Sequence, residues 1–325
     1  MSIVTVFGEG AFGTAFAALL ARNGHTVYLW CHHDDVPAQI LTTRENNNYL
    51  SGVALDERII PTHDMQEALK DSAYIFEAIP TQFLRSVLLQ AKGSAHRDQT
   101  WILLSKGIEK DSLLLPSQIL DEVFGYEVKK AVVSGPSFAH DIAYEHMTAV
   151  SCASPDHLIL SNIEKLLSND YFRLSLSNDV IGVQACGALK NCIALLVGML
   201  DGAGYSESTK ASMLTYALHE LMHMVMVMGG NKETVFGLAG IGDVVLTAYG
   251  QKSRNREVGR RLGAGESLES ILVTMNAIPE SVNTLNSLQQ LCTVKQLKLP
   301  ILQALYPIVF ENQSIELLFK FMKIF

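Results

Sequence analysis

The sequence lacks the features that mark secreted, zinc-stabilised and nucleic-acid-binding proteins. Its five cysteines are widely spaced and form no CxxC pair, which argues against a disulfide or zinc framework and favours reduced thiols. Acidic residues outnumber basic ones and the net charge is −8, so a broad nucleic-acid surface is not expected. No basic and apolar leader precedes the first strand-like run, and the apolar runs look too short to cross a bilayer. We therefore expect a cytoplasmic protein without a membrane span.

The remaining composition indicates two globular domains. A chain of 325 residues exceeds what one core usually holds, and 48% of the residues are hydrophobic while 18% are charged. Strand-like runs alternate with helical ones in the first half, over residues 3–7, 26–30, 74–78, 101–105, 131–134 and 148–152, whereas long helical patterns dominate after about residue 180. We predict an α/β Rossmann-type, doubly wound domain over residues 1–178 and an all-α domain over residues 179–325.

The strongest motif is a glycine-rich turn at the start of the chain. Residues 8–13 read Gly-Glu-Gly-Ala-Phe-Gly, follow a strand-like run and open a helical pattern. In a dinucleotide-binding unit Gly8 permits the tight turn, Gly10 lets the backbone approach a diphosphate, and Gly13 lets helix and strand pack closely. The helix start then offers N–H groups and a positive dipole end to the anion.

The end of the second predicted strand lacks the carboxylate that usually binds the adenosine ribose of NAD. The strand is followed by Cys-His-His, and the first aspartates come later, at Asp34 and Asp35. A histidine here, His32 above all, is consistent with contact to adenine, ribose or a 2′-phosphate, and equally with a plain surface position. The sequence therefore leaves the choice between NAD and NADP open.

Further polar residues stand where ligand contacts are expected. Lys106 follows one strand-like run, and a Gly-Pro turn from Gly135 follows another, at the strand ends where open α/β sheets bind ligands. Lys190 lies in an apolar helical run, where burial is costly unless the charge is used. A Ser-Arg-Asn-Arg group at residues 253–256 suits a phosphate at a helix start. A surface position would explain Lys106 about as well, and an ordinary turn would explain the Gly-Pro sequence. A capped helix with solvated arginines would explain residues 253–256 about as well.

One motif favours a different class of enzyme. Residues 219–223 read His-Glu-Leu-Met-His and match the HExxH pattern of zinc proteases. The pattern is short, it lies in a Met-rich helical run, and no suitable third ligand follows it. We expect ordinary helix histidines and no metal site, with a zinc metalloprotease as the remote alternative.

Six motifs in order resemble one known family. Gly-x-Gly-x-x-Gly-Thr-Ala, Ser-Lys-Gly-Ile, Gly-Pro-Ser-Phe-Ala, Leu-Lys-Asn, Gly-Leu-Ala-Gly-x-Gly-Asp and Ser-Arg-Asn-Arg begin at residues 8, 105, 135, 189, 237 and 253. Together they are similar to the bacterial-type NAD(P)-dependent glycerol-3-phosphate dehydrogenases. The resemblance implies a Rossmann-type domain, a helical domain and an active site between them. It also implies reduction of dihydroxyacetone phosphate to sn-glycerol 3-phosphate with NADH or NADPH, which feeds glycerophospholipid synthesis.

The resemblance also implies roles for individual residues. Lys190 is the implied catalytic acid/base. The implied substrate contacts are Lys106, Gly135, Ser137, Lys190, Asp243, Ser253, Arg254 and Asn255. The implied cofactor contacts are Gly8, Gly10, Ala11, Phe12, Gly13, His32, Tyr49, Lys106, Ala139, Arg254, Ile278 and Glu280.

Three positions depart from the family pattern, and two related functions stay open. Ser206 replaces a usual Asn, Tyr216-Ala217 replaces a usual Arg-Gly, and Ser281 replaces a usual Gly. These changes concern substrate affinity and nicotinamide preference more than the type of reaction. The alternatives are a two-domain hydroxyacid dehydrogenase and a non-catalytic NAD-binding regulator. A homodimer is the usual expectation for a soluble enzyme.

Overall fold

The computed structural model describes residues 1–275 and 279–320 and divides the chain into two compact units. The first unit comprises Met1–Ser105 and Pro116–Val180, and the second comprises Lys106–Leu115 and Ile181–Phe325. The ten residues Lys106–Leu115 therefore pack with the later part of the chain, although they lie early in the sequence.

A single sheet forms the centre of the first unit. Within the described residues its eight strands are β1 (Ile3–Phe7), β2 (Thr26–Trp30), β3 (Ile59–Thr62), β4 (Tyr74–Glu77), β5 (Thr100–Leu103), β6 (Lys130–Ser134), β7 (Thr148–Ala153) and β8 (Phe172–Ser177). Their order is β3-β2-β1-β4-β5-β6-β7-β8, and every neighbouring pair is parallel except β6 and β7. The register at the centre pairs Val4 with Val27 on one side and with Tyr74 on the other. This is the order of a doubly wound sheet.

One helix lies between each pair of consecutive strands in the chain. They are α1 (Ala11–Arg22), α2 (Asp35–Thr43), α3 (Met65–Lys70), α4 (Thr81–Ala91), α5 (Pro116–Phe124), α6 (Ala139–Ala143) and α7 (His157–Leu167). The helix α1 is buried without interruption from Gly13 to Ala21, because its Ala- and Leu-rich turns pack into the core with Val4, Val6 and Leu29. Strand β1 is buried on both faces, as expected for a central parallel strand.

The second unit is helical over the residues that the structure describes. Its helices are α8 (Val180–Gly202), α9 (Glu207–Val227), α10 (Asp243–Tyr249), α11 (Arg254–Gly263), α12 (Leu268–Val273), α13 (Glu280–Lys295) and α14 (Pro300–Phe310). Short 3-10 turns lie at Lys232–Phe236 and Ile315–Phe319, and a π-turn lies at Leu238–Gly242. The predicted fold class, a Rossmann-type α/β part followed by an all-α part, is confirmed.

Helix α8 corrects one expectation from the sequence. Its 23 residues are long and apolar enough to cross a membrane by length and composition alone, so the prediction that no apolar run reaches that length is wrong. However, 89% of its most apolar window is buried inside the protein, and Gly182–Leu200 is buried without a break. Burial on all sides explains why this helix is apolar all round.

Helices α8 and α11 cross with almost no side chain between them. A Cβ atom added to Gly198 or Gly202 of α8 would lie 2.2 or 1.9 Å from the carbonyl oxygen of Arg256 or Arg260. A Cβ added to Gly259 or Gly263 of α11 would lie 2.2 or 2.0 Å from a carbonyl oxygen of α8. Glycine is therefore required on both helices, and the two backbones touch directly.

Candidate active site

Two glycines of the turn after β1 are required by the packing of the chain itself. Gly8 has a φ of 111°, in the left-handed region that favours glycine, and a Cβ there would lie 3.0 Å from the carbonyl oxygen of Ala78. A Cβ on Gly13 would lie 2.0 Å from the carbonyl oxygen of Gly8. These two glycines let α1 start directly against the end of β1.

Gly10 differs, because nothing in the chain explains it. A Cβ added there would meet no atom within 4 Å, and Gly10 is the N-cap of α1, where no side chain caps the helix. The opening turn formed by Ala11 and Phe12 contains no acidic residue. The open space beside Gly10 and the positive end of the helix dipole together fit an anionic group such as a dinucleotide diphosphate.

This difference separates a ligand-binding glycine from a packing glycine. We expect Gly10→Ala to fold with a normal melting temperature, because its Cβ meets no protein atom, while its affinity for NADH falls at least about tenfold through contact with the diphosphate. Gly13→Ala should instead lower the melting temperature, because the added Cβ collides with backbone. Thermal unfolding and NADH fluorescence titration of both variants measure this. Unchanged NADH affinity in Gly10→Ala would contradict it.

The glycine turn places a carboxylate, that of Glu9, beside the residues that follow β2. Glu9 is 5% exposed, and its carboxylate accepts hydrogen bonds from the backbone N–H groups of His32 (3.0 Å) and His33 (3.3 Å) and lies 2.5 Å from His33 Nδ1. Burial would raise the pKa of Glu9, but these hydrogen bonds outweigh it and the pKa is lowered. His32 itself is exposed, with its ring against those of Trp30 and His33.

The loop after α2 holds this turn in place. Asn46 is fully buried, and its Nδ2 donates to the carbonyl oxygen of Glu9 (2.7 Å) and to Thr14 Oγ1 (2.8 Å). Tyr49, a predicted cofactor contact in the same loop, is 42% exposed. Burial, followed by the charges of Glu9 and Asp35, raises the pKa of Tyr49, so this tyrosine lies in the field of both carboxylates.

The other predicted ligand contacts of the first unit lie between β6 and α6. A Cβ on Gly135 would lie 2.8 Å from Val150 Cα, so the turn passes directly against β7. Ser137 Oγ donates to the carbonyl oxygen of Gly135 (2.9 Å), and Ala139 begins α6. These residues form one compact turn at the carboxyl end of β6.

Three charged side chains meet in the second unit. The Nζ atom of Lys190 on α8 donates to Asp243 Oδ1 (2.7 Å) and to Thr247 Oγ1 (3.0 Å), and Lys106 Nζ donates to Asp243 Oδ2 (2.7 Å). The Asp243 side chain is 1% exposed, and the lysine side chains are 10% and 11% exposed. Two ammonium groups thus share one buried carboxylate, and the three side chains carry one net positive charge.

The pKa values of this cluster follow from burial and from the shared charges. Burial would raise the pKa of Asp243, but Lys106 and Lys190 hold it below its usual range. Burial lowers the pKa of Lys190 to about 8, and Asp243 opposes part of that shift. Lys190 is therefore charged at neutral pH yet close to the range in which it can release a proton, as suits a general acid.

Local structure explains why these groups meet. Asp243 and Thr247 are four residues apart on α10 and so share one face, which turns towards Lys190. The preceding π-turn is tight, because a Cβ on Gly240 would lie 2.1 Å from the carbonyl oxygen of Val235. Only glycine permits this turn, and the turn sets the start of α10.

The predicted phosphate residues form part of a polar network. Ser253 caps α11, with its Oγ accepting from the N–H of Arg256 (3.2 Å), and Arg254 is exposed at the same helix start. Asn255 donates to Asn191 Oδ1 (2.8 Å) and accepts from the N–H of Ser281 (3.1 Å).

The same network reaches a predicted cofactor contact. Asn191 Nδ2 donates to Glu280 Oε2 (2.8 Å). The structure thus joins Asn255, next to Arg254, to Glu280 through the neighbour of Lys190. Ile278, another predicted cofactor contact, lies outside the described residues.

The HExxH motif has a structural task. His219 and His223 are exposed on α9, whereas Glu220 is buried and its carboxylate accepts from the N–H groups of Ile301 and Leu302, both at 2.8 Å. Glu220 therefore caps the start of α14 and is not available as the base of a metalloprotease. Among the described residues no group of three or more His, Cys, Asp or Glu side chains could hold a metal ion.

The capping role predicts a pH-dependent contribution to stability. Burial raises the pKa of Glu220 to about 7, from an ordinary 4.5. Between these values the folded state binds more protons than the unfolded state, so the contribution of Glu220 falls as pH rises from 4.5 to 7. We expect the unfolding free energy of the wild type, relative to Glu220→Gln, to decrease over this range in urea titrations. A difference that is constant or increases would contradict it.

Sequence reasoning missed several residues that shape the site. Glu9 occupies a variable position of the glycine motif, and Asn46 lies in a loop without a motif. Thr247 was recognisable only by its spacing of four residues from Asp243, and Asn191 by its place beside Lys190.

The departures from the family pattern have structural roles. Ser206 is the N-cap of α9, with its Oγ accepting from the N–H of Thr209 (3.3 Å), and Ala217 is buried in the same helix. Ser281 is buried in the first turn of α13, where its N–H binds Asn255.

Both parts of the chain are similar to known glycerol-3-phosphate dehydrogenases. Residues 3–159 match the family model of the NAD-dependent glycerol-3-phosphate dehydrogenase N-terminus, and residues 179–320 match that of its C-terminus. A glycerol-3-phosphate dehydrogenase (NAD(P)+) from Bacillus subtilis strain 168 is 39% identical over 318 residues, which cover 97% of this chain and 92% of that protein. One from Citrifermentans bemidjiense is 36% identical, with coverage of 96% and 93%.

A crystal structure of glycerol-3-phosphate dehydrogenase from Coxiella burnetii superposes with a TM-score of 0.94 at 29% identity, covering 99% of this chain and 98% of that one. The enzyme from Saccharomyces cerevisiae gives a TM-score of 0.84 at 27% identity, covering 97% and 98%. The resemblance predicted from the six motifs is confirmed. The chain therefore belongs to the NAD-dependent glycerol-3-phosphate dehydrogenase family.

Proposed function

We propose that this protein catalyses the reversible reduction of dihydroxyacetone phosphate to sn-glycerol 3-phosphate with NADH or NADPH. The observation that carries the proposal is the buried pair of ammonium groups, Lys190 and Lys106, on the single carboxylate of Asp243. A reaction that builds negative charge on an oxygen needs a positive, preorganised and nearly dry site of this kind.

Lys190 performs the proton transfer in this proposal. As a ketone is reduced, negative charge grows on its carbonyl oxygen, and the Lys190 ammonium stabilises that charge and then donates a proton to it. Asp243 keeps Lys190 charged and, with Thr247, holds its Nζ in place. Lys106 adds a second positive charge. The nicotinamide, when bound, supplies the hydride.

The remaining residues bind and orient the ligands in this proposal. Residues 1–178, apart from the segment Lys106–Leu115 that packs with the second unit, form the dinucleotide-binding domain, in which Gly10 and the start of α1 hold the diphosphate. Residues 179–325 form the substrate domain, in which the N–H groups at the start of α11 and the Arg254 guanidinium hold the substrate phosphate. The other assigned contacts are Gly135 and Ser137 for the substrate, and His32, Tyr49, Ala139 and Glu280 for the cofactor.

The wider biological role follows from the product. A glycerol 3-phosphate supply serves glycerophospholipid synthesis, and we place the enzyme in the cytoplasm as a homodimer.

Loss of absorbance at the reduced-nicotinamide band tests the reaction. We expect turnover with dihydroxyacetone phosphate and NADH or NADPH, and at least about a hundredfold less with unphosphorylated dihydroxyacetone, because the phosphate contacts are lost. Turnover with 2-keto acids alone would identify a hydroxyacid dehydrogenase. Cofactor binding without any turnover would identify a regulator.

A further inference from the structure

The glycine turn contains a charged side chain that its phosphate-binding role does not require. Glu9 lies between Gly8 and Gly10. Its carboxylate accepts hydrogen bonds from the backbone N–H groups of His32 and His33, which follow the neighbouring strand β2. A side chain of the first βα turn thus reaches the residues that follow β2.

This is the place where Rossmann-type sheets recognise the adenosine ribose. In that fold a carboxylate at the end of the second strand binds the ribose 2′-hydroxyl of NAD. Strand β2 ends at Trp30, and residues 31–33 read Cys-His-His, without a carboxylate. Glu9 brings a carboxylate to the same strand end from a different element.

The negative charge of Glu9 affects the pKa values of two neighbouring side chains. Burial and the charge of Glu9 raise the pKa of Cys31, and burial and the charges of Glu9 and Asp35 raise the pKa of Tyr49. Glu9 itself is held in its charged form by three hydrogen bonds. The strand end therefore combines a fixed buried carboxylate with the exposed Asp34 and Asp35.

The residues around this strand end provide little positive charge to bind a 2′-phosphate. Residues 31–35 contain no lysine or arginine. A groove of about 530 Å³ beside the ends of β2 and β3 is lined by Trp30, His32, His63, Asp64, Met65, Gln66, Gln90 and Ser94, none of which is a lysine or an arginine. The two backbone N–H groups that would suit a phosphate oxygen already bind Glu9.

We propose that Glu9 sets the nucleotide preference of this enzyme, favouring NAD(H) because its buried carboxylate repels the 2′-phosphate of NADP(H) and occupies the amides after β2. The preference comes from repulsion of the wrong nucleotide, which is a common basis of specificity. It deepens the proposed function and depends on it in one respect, that the chain binds a nicotinamide dinucleotide.

The test measures binding, so that it does not depend on turnover. Dissociation constants of NADH and NADPH come from fluorescence titration, and those of 5′-AMP and adenosine 2′,5′-bisphosphate come from calorimetry at pH 8. We expect the wild type to bind the nucleotide without the 2′-phosphate at least about tenfold more tightly in each pair. Glu9→Gln keeps the shape of the side chain and removes its charge. In this variant the ratio of the two dissociation constants in each pair should fall about tenfold.

Asp34→Asn is the matched control, since it removes a neighbouring exposed carboxylate that is not bound to these amides. Its ratio should stay within about twofold of the wild type. Because each ratio is taken within one protein, a partly unfolded sample does not alter it, and the wild-type ratio alone tests the preference.

Equal binding of both nucleotides by the wild type, an unchanged ratio in Glu9→Gln, or an equal change in Asp34→Asn would overturn the assignment to Glu9. Failure of the wild type to bind any of the four nucleotides would instead overturn the proposed function.

Discussion

Lys190→Ala should lower kcat by at least about a hundredfold, the usual contribution of a positioned general acid. The variant should still fold, because Asp243 keeps Lys106 as a partner at 2.7 Å and no buried carboxylate is left without a cation. It should also still bind NADH, since Lys190 belongs to the second unit and the glycine turn to the first. Steady-state kinetics, circular dichroism and NADH titration measure these three properties.

Lys210→Ala provides a matched control for this experiment. Lys210 is also a buried lysine of the second unit and also binds an aspartate, Asp201, at 2.8 Å, but it has no assigned part in the reaction. Its loss should leave kcat within about threefold of the wild type. Near-normal turnover in Lys190→Ala, or an equal loss in Lys210→Ala, would remove Lys190 from the catalytic role.

Asp243→Asn should damage both stability and the pH dependence of the reaction. It removes the carboxylate that the two buried ammonium groups share, and removing one partner of a buried ion pair costs about 3 kcal/mol or more. The loss should be larger at low pH. A further lowered pKa of Lys190 makes the unfolded state bind more protons, so the stability of the variant rises with pH. Urea unfolding at pH 6 and pH 9 measures this.

Asp243→Asn should also change the pH dependence of the rate of reduction. Wild-type activity should fall as pH rises through about 8, where Lys190 loses the proton that it donates. Without Asp243 to favour the charged form, the same fall should occur at lower pH.

Asp201→Asn is the matched control for Asp243→Asn, because Asp201 also joins two cations, Lys210 and Arg256, but is 28% exposed. A partly exposed site should cost only about 1 kcal/mol and leave the pH profile unchanged. A pH profile of Asp243→Asn that coincides with that of the wild type would contradict the proposed pairing.

The fold class was readable from the sequence, but two edge strands were not. Strand β3 is only four residues long and contains Pro61, which is tolerated because the strand lies at the sheet edge. In strand β8, at the other edge, polar residues alternate with apolar ones and the strand is partly exposed. It therefore lacks the continuous apolar run of a central strand.

The glycine turn could be predicted from local sequence, whereas the charge cluster could not. Lys190 is 53 positions from Asp243 in the sequence and Lys106 is 137 positions from it, and no periodicity connects the three residues. The family resemblance named Lys106, Lys190 and Asp243 without indicating that one carboxylate binds both ammonium groups. The capping of α14 by Glu220 joins residues about 80 positions apart, so the HExxH pattern by itself gave a misleading alternative.

The glycine crossing of α8 and α11 has a consequence for how the second unit can respond to ligands. Because the two backbones touch, neither helix can slide or tilt against the other without losing that contact. Lys190 on α8 and the Ser253–Asn255 turn at the start of α11 therefore keep a preset spacing. If the proposed assignment holds, a substrate that contacts Lys190 at its carbonyl oxygen and the start of α11 at its phosphate must span a fixed distance, and this distance limits its length. In a library of random substitutions, positions 198, 202, 259 and 263 should be as intolerant as the lysine itself.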